Sequence, residues 1–242
     1  IVTGKVVAAL KRLGFDKVFD TSITADLTVI EETHEFITRL QKGEKMPQFT
    51  SCCPAWVKYA EHNAAEYLKN LSSCRSPQQM FGSLVKKYWA QEIGKQPEDI
   101  IVVSIMPCTA KKYEAALPQF ATDGVPDVDL VLTTQELARM IREAGLVFDQ
   151  LDIESFDTPF GFTTGAGVIF GATGGVAEAV LRAAHEFVTG QPIDQINFEA
   201  VRGFADRKEA TVEIAGQEIK VAVVHGLANA KALLQEIKEG KA

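Results

Sequence analysis

Apolar residues recur at helical spacing in several stretches of the chain, and short apolar runs separate them. Residues 3–13 predict a helix stopped by Gly14. Residues 24–42 predict a long helix closed by Gly43, with Val29, Ile30, Phe36, Ile37 and Leu40 on its apolar side. Between them, Lys17-Val18-Phe19-Asp20 predicts a short strand. Residues 46–51 are short and extended, and they feed a helix that starts at Pro54, where a missing N–H costs nothing. Ser76, Pro77 and Gln79 form a second helix start, a capping box with proline at the first position, and that helix runs to about Gly94. The β-branched run Ile100-Ile101-Val102-Val103, continued after Ser104 by Ile105, predicts a strand buried on both faces. Residues 128–132 predict a second strand. Thr133-x-x-Glu136 is another capping box, followed by Leu137, Met140, Ile141 and Ala144 at helical spacing.

Further along, residues 147–164 are irregular, and residues 165–175 are glycine-rich and lead into a helix at 176–189. Residues 209–214 and 218–224 predict a hairpin turning at Ala215-Gly216, and a last helix spans 227–239. Strands alternating with helices predict an α/β fold, two lobes of largely parallel sheet flanked by helices, with a boundary within residues 120–165. No internal repeat, linker or low-complexity segment interrupts residues 1–242.

Composition narrows the function classes. The net charge of -7 gives no basic footprint for nucleic acid. No apolar run approaches the ~20 residues that span a bilayer. Four cysteines, Cys52, Cys53, Cys74 and Cys108, are too few for a disulfide scaffold. The chain opens Ile-Val-Thr-Gly, without an initiator Met and without a charged-then-apolar leader, as a processed chain or an excised piece does, and the expected location is the cytoplasm.

The cysteines carry the candidate chemistry. In Thr50-Ser51-Cys52-Cys53-Pro54-Ala55-Trp56, Pro54 puts Cys53 at a helix N-cap, where the macrodipole favours a thiolate. Adjacent side chains diverge, so one cysteine can be a ligand while its neighbour does something else. Two small buried thiols are the alternative. A second motif, Met106-Pro107-Cys108-Thr109-Ala110-Lys111-Lys112-Tyr113-Glu114, lies at the carboxyl end of a predicted strand, where ligands gather in α/β sheets. Lys111 is within reach of an anionic cofactor there, and a buried Cys108 with a solvated Lys111 is the alternative. The glycine-rich Phe170-Gly171-Ala172-Thr173-Gly174-Gly175 matches neither the dinucleotide fingerprint nor the P-loop. Glu32, Glu35 and Arg39 form one stripe, which periodicity alone reads as a solvated face with ordinary ion pairs. A proton relay is the other reading.

Together the two cysteine motifs resemble the first two signature motifs of the [FeFe]-hydrogenase catalytic domain. The likeness extends through Ala25-Asp26-Leu27-Thr28, Leu71-Ser72-Ser73, Ser76-Pro77-Gln78-Gln79 and residues 165–175. It implies interconversion of protons, electrons and H2 at an H-cluster between the lobes. That cofactor is a [4Fe-4S] cubane bridged to a two-iron subsite with CO, cyanide and dithiolate ligands. It implies Cys53 and Cys108 as cubane ligands and Cys52 as the thiol that passes protons to the subsite. It implies Lys111 as a cyanide partner, with Met106, Pro107, Ser76, Gln78 and Phe170 around the subsite. Glu32, Ser72, Glu35 and Arg39 match the family's proton path, which turns the stripe from a solvated face into a relay.

The family's third motif, with the other two cubane cysteines, follows the region covered by residues 1–242, so this stretch alone is expected to be inactive. Cys74 matches no ligand position and is expected to be a bystander. Expected partners are an electron-transfer protein such as ferredoxin, accessory iron–sulfur domains or subunits, and maturation proteins. A non-catalytic iron–sulfur assembly or sensory relative is the alternative, and those commonly lack the cysteine at position 52.

Overall fold

The computed structural model describes residues 2–192, 206–214 and 216–241. The helices are α1 (Val2–Arg12), α2 (Ser22–Lys42), α3 (Pro54–Asn63), α4 (Pro77–Leu84), α5 (Ala90–Glu92), α6 (Ala110–Ala115), α7 (Thr134–Glu143), α8 (Gly165–Phe170), α9 (Gly175–Thr189) and α10 (Leu227–Lys238). The strands are β1 (Val103–Met106), β2 (Ala121–Thr122), β3 (Val125–Pro126), β4 (Leu130–Thr133), β5 (Arg207–Ile214) and β6 (Gln217–Val224). The fold is α/β, as expected, with the parallel pair β1–β4 beside antiparallel pairs β2–β3 and β5–β6. The chain forms two compact units, one from Ile1–Thr24 and Pro77–Thr163, the other from Ala25–Ser76 and Thr164–Ala242. No helix among the described residues is long and apolar enough to cross a membrane.

In the first unit, α1 buries Val7, Ala8, Ala9 and Leu10 against Leu137 and Ile141 of α7 and against Leu151. Small residues at Ala8 and Ala9 let the helix approach closely. The predicted strand at 17–20 is absent. Its backbone is satisfied by one residue, since Val18 N–H donates to Asp157 Oδ2 at 3.0 Å and Val18 C=O accepts from Asp157 N–H at 2.8 Å. The buried strand predicted over 100–105 shortens to β1. Among the described residues β1 pairs on one side only, with β4 from Val103↔Leu130 to Met106↔Thr133, and Ile101 and Leu130 are exposed. The Thr133–Glu136 capping box starts α7 as predicted. α4 continues through a π-turn at Val85–Trp89 into α5. That turn buries Lys86, whose Nζ is 2.9 Å from Asp129 and also donates to the carbonyls of Pro97 and Ile100. Gly82 lets α4 lie against the chain before β4, because a Cβ there would stand 2.3 Å from the Asp127 carbonyl oxygen.

The second unit has its core where Phe36 of α2, Val180, Leu181 and Ala184 of α9, and Val212 and Ile214 of β5 meet. Ile30, expected on the apolar side of α2, is instead exposed. The two hairpin strands pair as predicted, in register from Arg207↔Val224 to Ile214↔Gln217, and Ala215 of the predicted turn lies outside the described residues. The glycine-rich stretch contains a helix the sequence did not predict, α8. It is anchored by Asp26, whose carboxylate accepts from Thr164 N–H, Thr164 Oγ1 and Gly167 N–H at 2.5–2.6 Å. Gly175 makes the α8–α9 corner, where a Cβ would stand 1.7 Å from the Ile169 carbonyl oxygen.

Candidate active site

Residues 47–51 lie along residues 70–72 in the second unit. Phe49 N–H donates to the Asn70 carbonyl at 2.9 Å, and Ser72 N–H donates to the Phe49 carbonyl at 2.7 Å. Phe49 packs edge-on to Trp56 and Tyr67, which ties this segment to α3. Cys53 is the N-cap of α3 with extended backbone, and Pro54 follows at the first turn. Its side chain makes no capping hydrogen bond and is exposed, so the thiol is available to a ligand. Cys52 is half-buried beside it.

The same pairing lays Ser72 and Ser73 over the polar stripe of α2. Ser72 Oγ donates to Glu35 Oε2 at 2.7 Å, and Ser73 N–H donates to the same oxygen at 2.9 Å. Arg39 donates to Glu35 Oε1 at 2.6 Å and to the carbonyls of Asn70 at 2.9 Å and Leu71 at 2.7 Å. Burial works against the Glu35 charge, yet the Ser72 and Ser73 hydrogen bonds and the Arg39 cation hold its carboxyl below the ordinary value. Glu32 is 1% exposed, and its Oε1 has no hydrogen-bond partner. Burial pushes its carboxyl from 4.5 up to about 7. Glu35 adds to the rise, and hydrogen bonds with Ser72 and Gln48 and the Arg39 charge oppose it. Glu32, Ser72, Glu35 and Arg39 therefore form one network, and Glu32, Ser72 and Arg39 are buried rather than solvated.

A raised carboxyl takes up its proton on folding. Glu32's stabilising protonation is fully present below pH 4.5 and is lost as pH rises to about 7, a change of roughly 3 kcal/mol. Glu32→Gln is expected to gain stability relative to the parent by up to that amount between pH 4.5 and pH 8. Thermal melts of metal-free protein at both pH values check this, and a pH-independent difference counts against a protonated Glu32.

In the first unit, Met106 ends β1, Pro107 is exposed, and Cys108 is half-buried just beyond. Lys111 Nζ is 3.1 Å from Glu114 Oε2. Gln78 Nε2 donates to Glu114 Oε2 and to the Lys111 carbonyl, both at 3.2 Å, and Gln78 Oε1 accepts from Ser104 Oγ at 2.8 Å. A buried amide thus fixes a buried carboxylate, which holds the lysine. Ser76 is buried in the second unit, and Phe170 ends α8.

Sequence reasoning gave no role to Ser73, Glu114, Ser104 or Cys74. Glu114 is inside the second motif, but only the Gln78 contact reveals its part. Cys74 touches the stripe. Its Sγ is 3.9 Å from Glu35 Oε2, and its N–H donates to Ser72 Oγ at 3.2 Å. Burial and the charges of Glu32, Glu35 and Glu31 push its thiol up to about 11, against the Ser72 hydrogen bond.

Over residues 1–242 the sequence matches the family described as iron only hydrogenase large subunit, C-terminal domain. The chain belongs to that family. This hydrogenase domain is 49% identical to the periplasmic [Fe] hydrogenase large subunit of Nitratidesulfovibrio vulgaris over 243 residues, covering 100% of the chain and 58% of that relative. It is also 36% identical to the cytosolic Fe-S cluster assembly factor narfl of Xenopus tropicalis over 248 residues, covering 98% of the chain and 52% of that relative. The chain thus spans about half the length of these relatives. It superposes on the apo [FeFe]-hydrogenase HydA1 variant C377H of Chlamydomonas reinhardtii with a TM-score of 0.87 and 37% identity, covering 99% of the chain and 68% of that structure.

The family implies an iron–sulfur H-cluster. Among the described residues no three of His, Cys, Asp and Glu gather as ligands for a single ion. A cubane takes four thiolates. Cys53, uncommitted to capping, and Cys108 suit it in kind and would supply two.

Proposed function

We propose that the hydrogenase domain is the catalytic core segment of an [FeFe]-hydrogenase, interconverting protons plus electrons and H2. The observation that carries this reading is the buried carboxylate Glu32, held near neutrality and joined through Ser72 to Glu35 and Arg39. A scaffold for iron–sulfur assembly has no use for a buried acid poised to change protonation at neutral pH, whereas an enzyme that moves protons does. Cys52 beside Cys53 adds to the case, since the assembly and sensory relatives commonly lack it. The narfl relative keeps the assembly role as the second reading.

In the proposed site Cys53 and Cys108 would hold the cubane as thiolates, and further thiolates would complete it. Bound iron supplies the redox chemistry. Lys111, fixed by Glu114 and Gln78, presents a cation to anionic ligands of the subsite. Met106, Pro107, Ser76, Gln78 and Phe170 would stand around the subsite, as the resemblance implies. Cys52 would be the thiol at the inner end of the proton route, beyond Glu32. Ser72, a donor and acceptor at once, connects Glu32 with Glu35. Arg39 keeps Glu35 anionic and in place. A ferredoxin-like protein or accessory iron–sulfur domains supply electrons, and maturation proteins install the subsite. The proposed location is the cytoplasm.

Glu32→Gln and Glu35→Gln test the route in the full-length matured protein. Each keeps its shape and loses its titration, so H2 evolution is expected to fall by roughly 100-fold or more with iron content unchanged. Full activity in both variants would return the stripe to a structural role.

A further inference from the structure

The carboxylate route has an outer end. A cavity of about 350 Å³ is lined by Glu31, His34, Glu35, Thr38, Arg39 and Lys42 of α2, by Glu44 and Lys45 just after it, and by Ser73 and Cys74. Within the second unit this is where Glu35 meets the surface. Glu35 itself is a poor place to store a proton. Its two oxygens accept from Arg39, Ser72 and Ser73, and those partners hold it ionised. A proton reaching Glu35 from water must come from a group that is often protonated and gives it up readily.

The cavity offers few such groups. A guanidinium does not deprotonate, and both terminal nitrogens of Arg39 are engaged. The Cys74 thiol is pushed too high to cycle near neutrality. Carboxylates and ammonium groups ordinarily titrate two or more units from pH 7. Imidazole is the side chain that ordinarily titrates between pH 5 and 8, and one of its nitrogens can take a proton while the other gives one. His34 is the cavity's imidazole. Its ring packs on Phe187 of α9, with centroids 5.1 Å apart, so it is held at the cavity wall rather than swinging in solvent. The charged groups facing that space are Glu31, Glu35, Arg39 and Lys42 from α2, Glu44 and Lys45 from the following segment, and the Cys74 thiol. Phe187 carries no charge. A cavity of this size admits water to join the imidazole to the carboxylate.

We infer that His34 is the group through which Glu35 exchanges protons with bulk water. An N–H bond of the imidazolium breaks, an O–H bond forms on intervening water, and that water passes a proton to Glu35. No electron moves. The inference rests on Glu32, Ser72 and Glu35 being a proton route. It makes His34 a positioning residue for proton supply rather than a member of the iron site.

Metal-free full-length protein gives a test independent of turnover. After a pH jump through neutrality in weak buffer, infrared absorption of the protonated Glu32 carboxyl reports proton arrival, and Glu32→Gln identifies the band. His34→Gln is expected to slow that relaxation at least about tenfold. Because His34 is exposed, the substitution leaves the core intact. Imidazole added to the solution should restore the parent rate, which no purely structural role would allow. An unchanged relaxation in His34→Gln, or slowing that free imidazole does not relieve, overturns the inference. Failure of the underlying route is distinguished by Ser72→Ala. If that variant relaxes as fast as the parent, protons reach Glu32 some other way.

Discussion

Cys52→Ala, in full-length matured protein, is expected to keep its iron and lose its turnover, while Cys53→Ala loses the iron itself. The two thiols are neighbours in sequence, and their proposed roles are opposite. Cys53 caps α3 in extended backbone, makes no capping bond and is exposed, as a ligand must be before the metal arrives. The helix N-terminus favours its thiolate. A methyl group there cannot replace an anionic ligand, and a cubane short of one thiolate is poorly held. Cys108→Ala should behave like Cys53→Ala. Cys52 is half-buried and is no ligand in the proposed site, so removing it should spare the iron and break the proposed proton route at its inner end. The expected loss in H2 evolution is roughly 100- to 10,000-fold. Iron and sulfide assays beside H2 evolution separate the cases. Near-normal turnover in Cys52→Ala, or parental iron in Cys53→Ala, would falsify the assignment.

The second large effect concerns a polypeptide limited to residues 1–242. Matured anaerobically and purified alone, it is expected to show no CO or cyanide infrared bands and no H2 evolution. Two thiols suit the cubane, and the other two are poorly placed to join them. Cys52 diverges from Cys53. Cys74 lies against Glu35 with its thiol pushed up to about 11, so it stays protonated at neutral pH and is a poor ligand. With half the thiolates missing, the subsite also lacks its bridge, and water reaches the pocket. Strong bands with H2 production from this polypeptide would mean that the cysteines present suffice.

Much of this architecture is legible in the pattern of residues. The α2 periodicity, Pro54 and Pro77 at helix starts, the Thr133–Glu136 box and the β5–β6 pairing each report a local preference, and local preferences survive folding. The stripe Glu32, Glu35 and Arg39 was legible as a stripe. Its burial was not, because helical spacing tells which residues share a face and nothing about what covers it. The cover comes from residues 70–73, brought in by the Phe49–Leu71 pairing. Resemblance supplied that answer for Glu32 and Ser72, but not for Ser73 or Cys74. The strand predicted at 17–20 failed for a related reason, since its partner is Asp157, more than a hundred residues away. Lys86 was invisible as a buried group, because its three oxygen partners come from a turn and a strand edge that no spacing rule connects to it.

The core around Phe36 has a consequence for biosynthesis. Its partners Val180, Val212 and Ile214 leave the ribosome long after Phe36 does. At about 5–20 residues per second, the wait from Phe36 to Ile214 runs from roughly nine seconds to over half a minute. Until Ile214 emerges, the apolar face of α2 that carries Phe36 lacks part of its cover. The polar stripe does not wait so long, because Ser72 and Ser73, which bond to it, follow α2 closely in the chain. The two faces of α2 therefore receive their partners at different times, the polar face first.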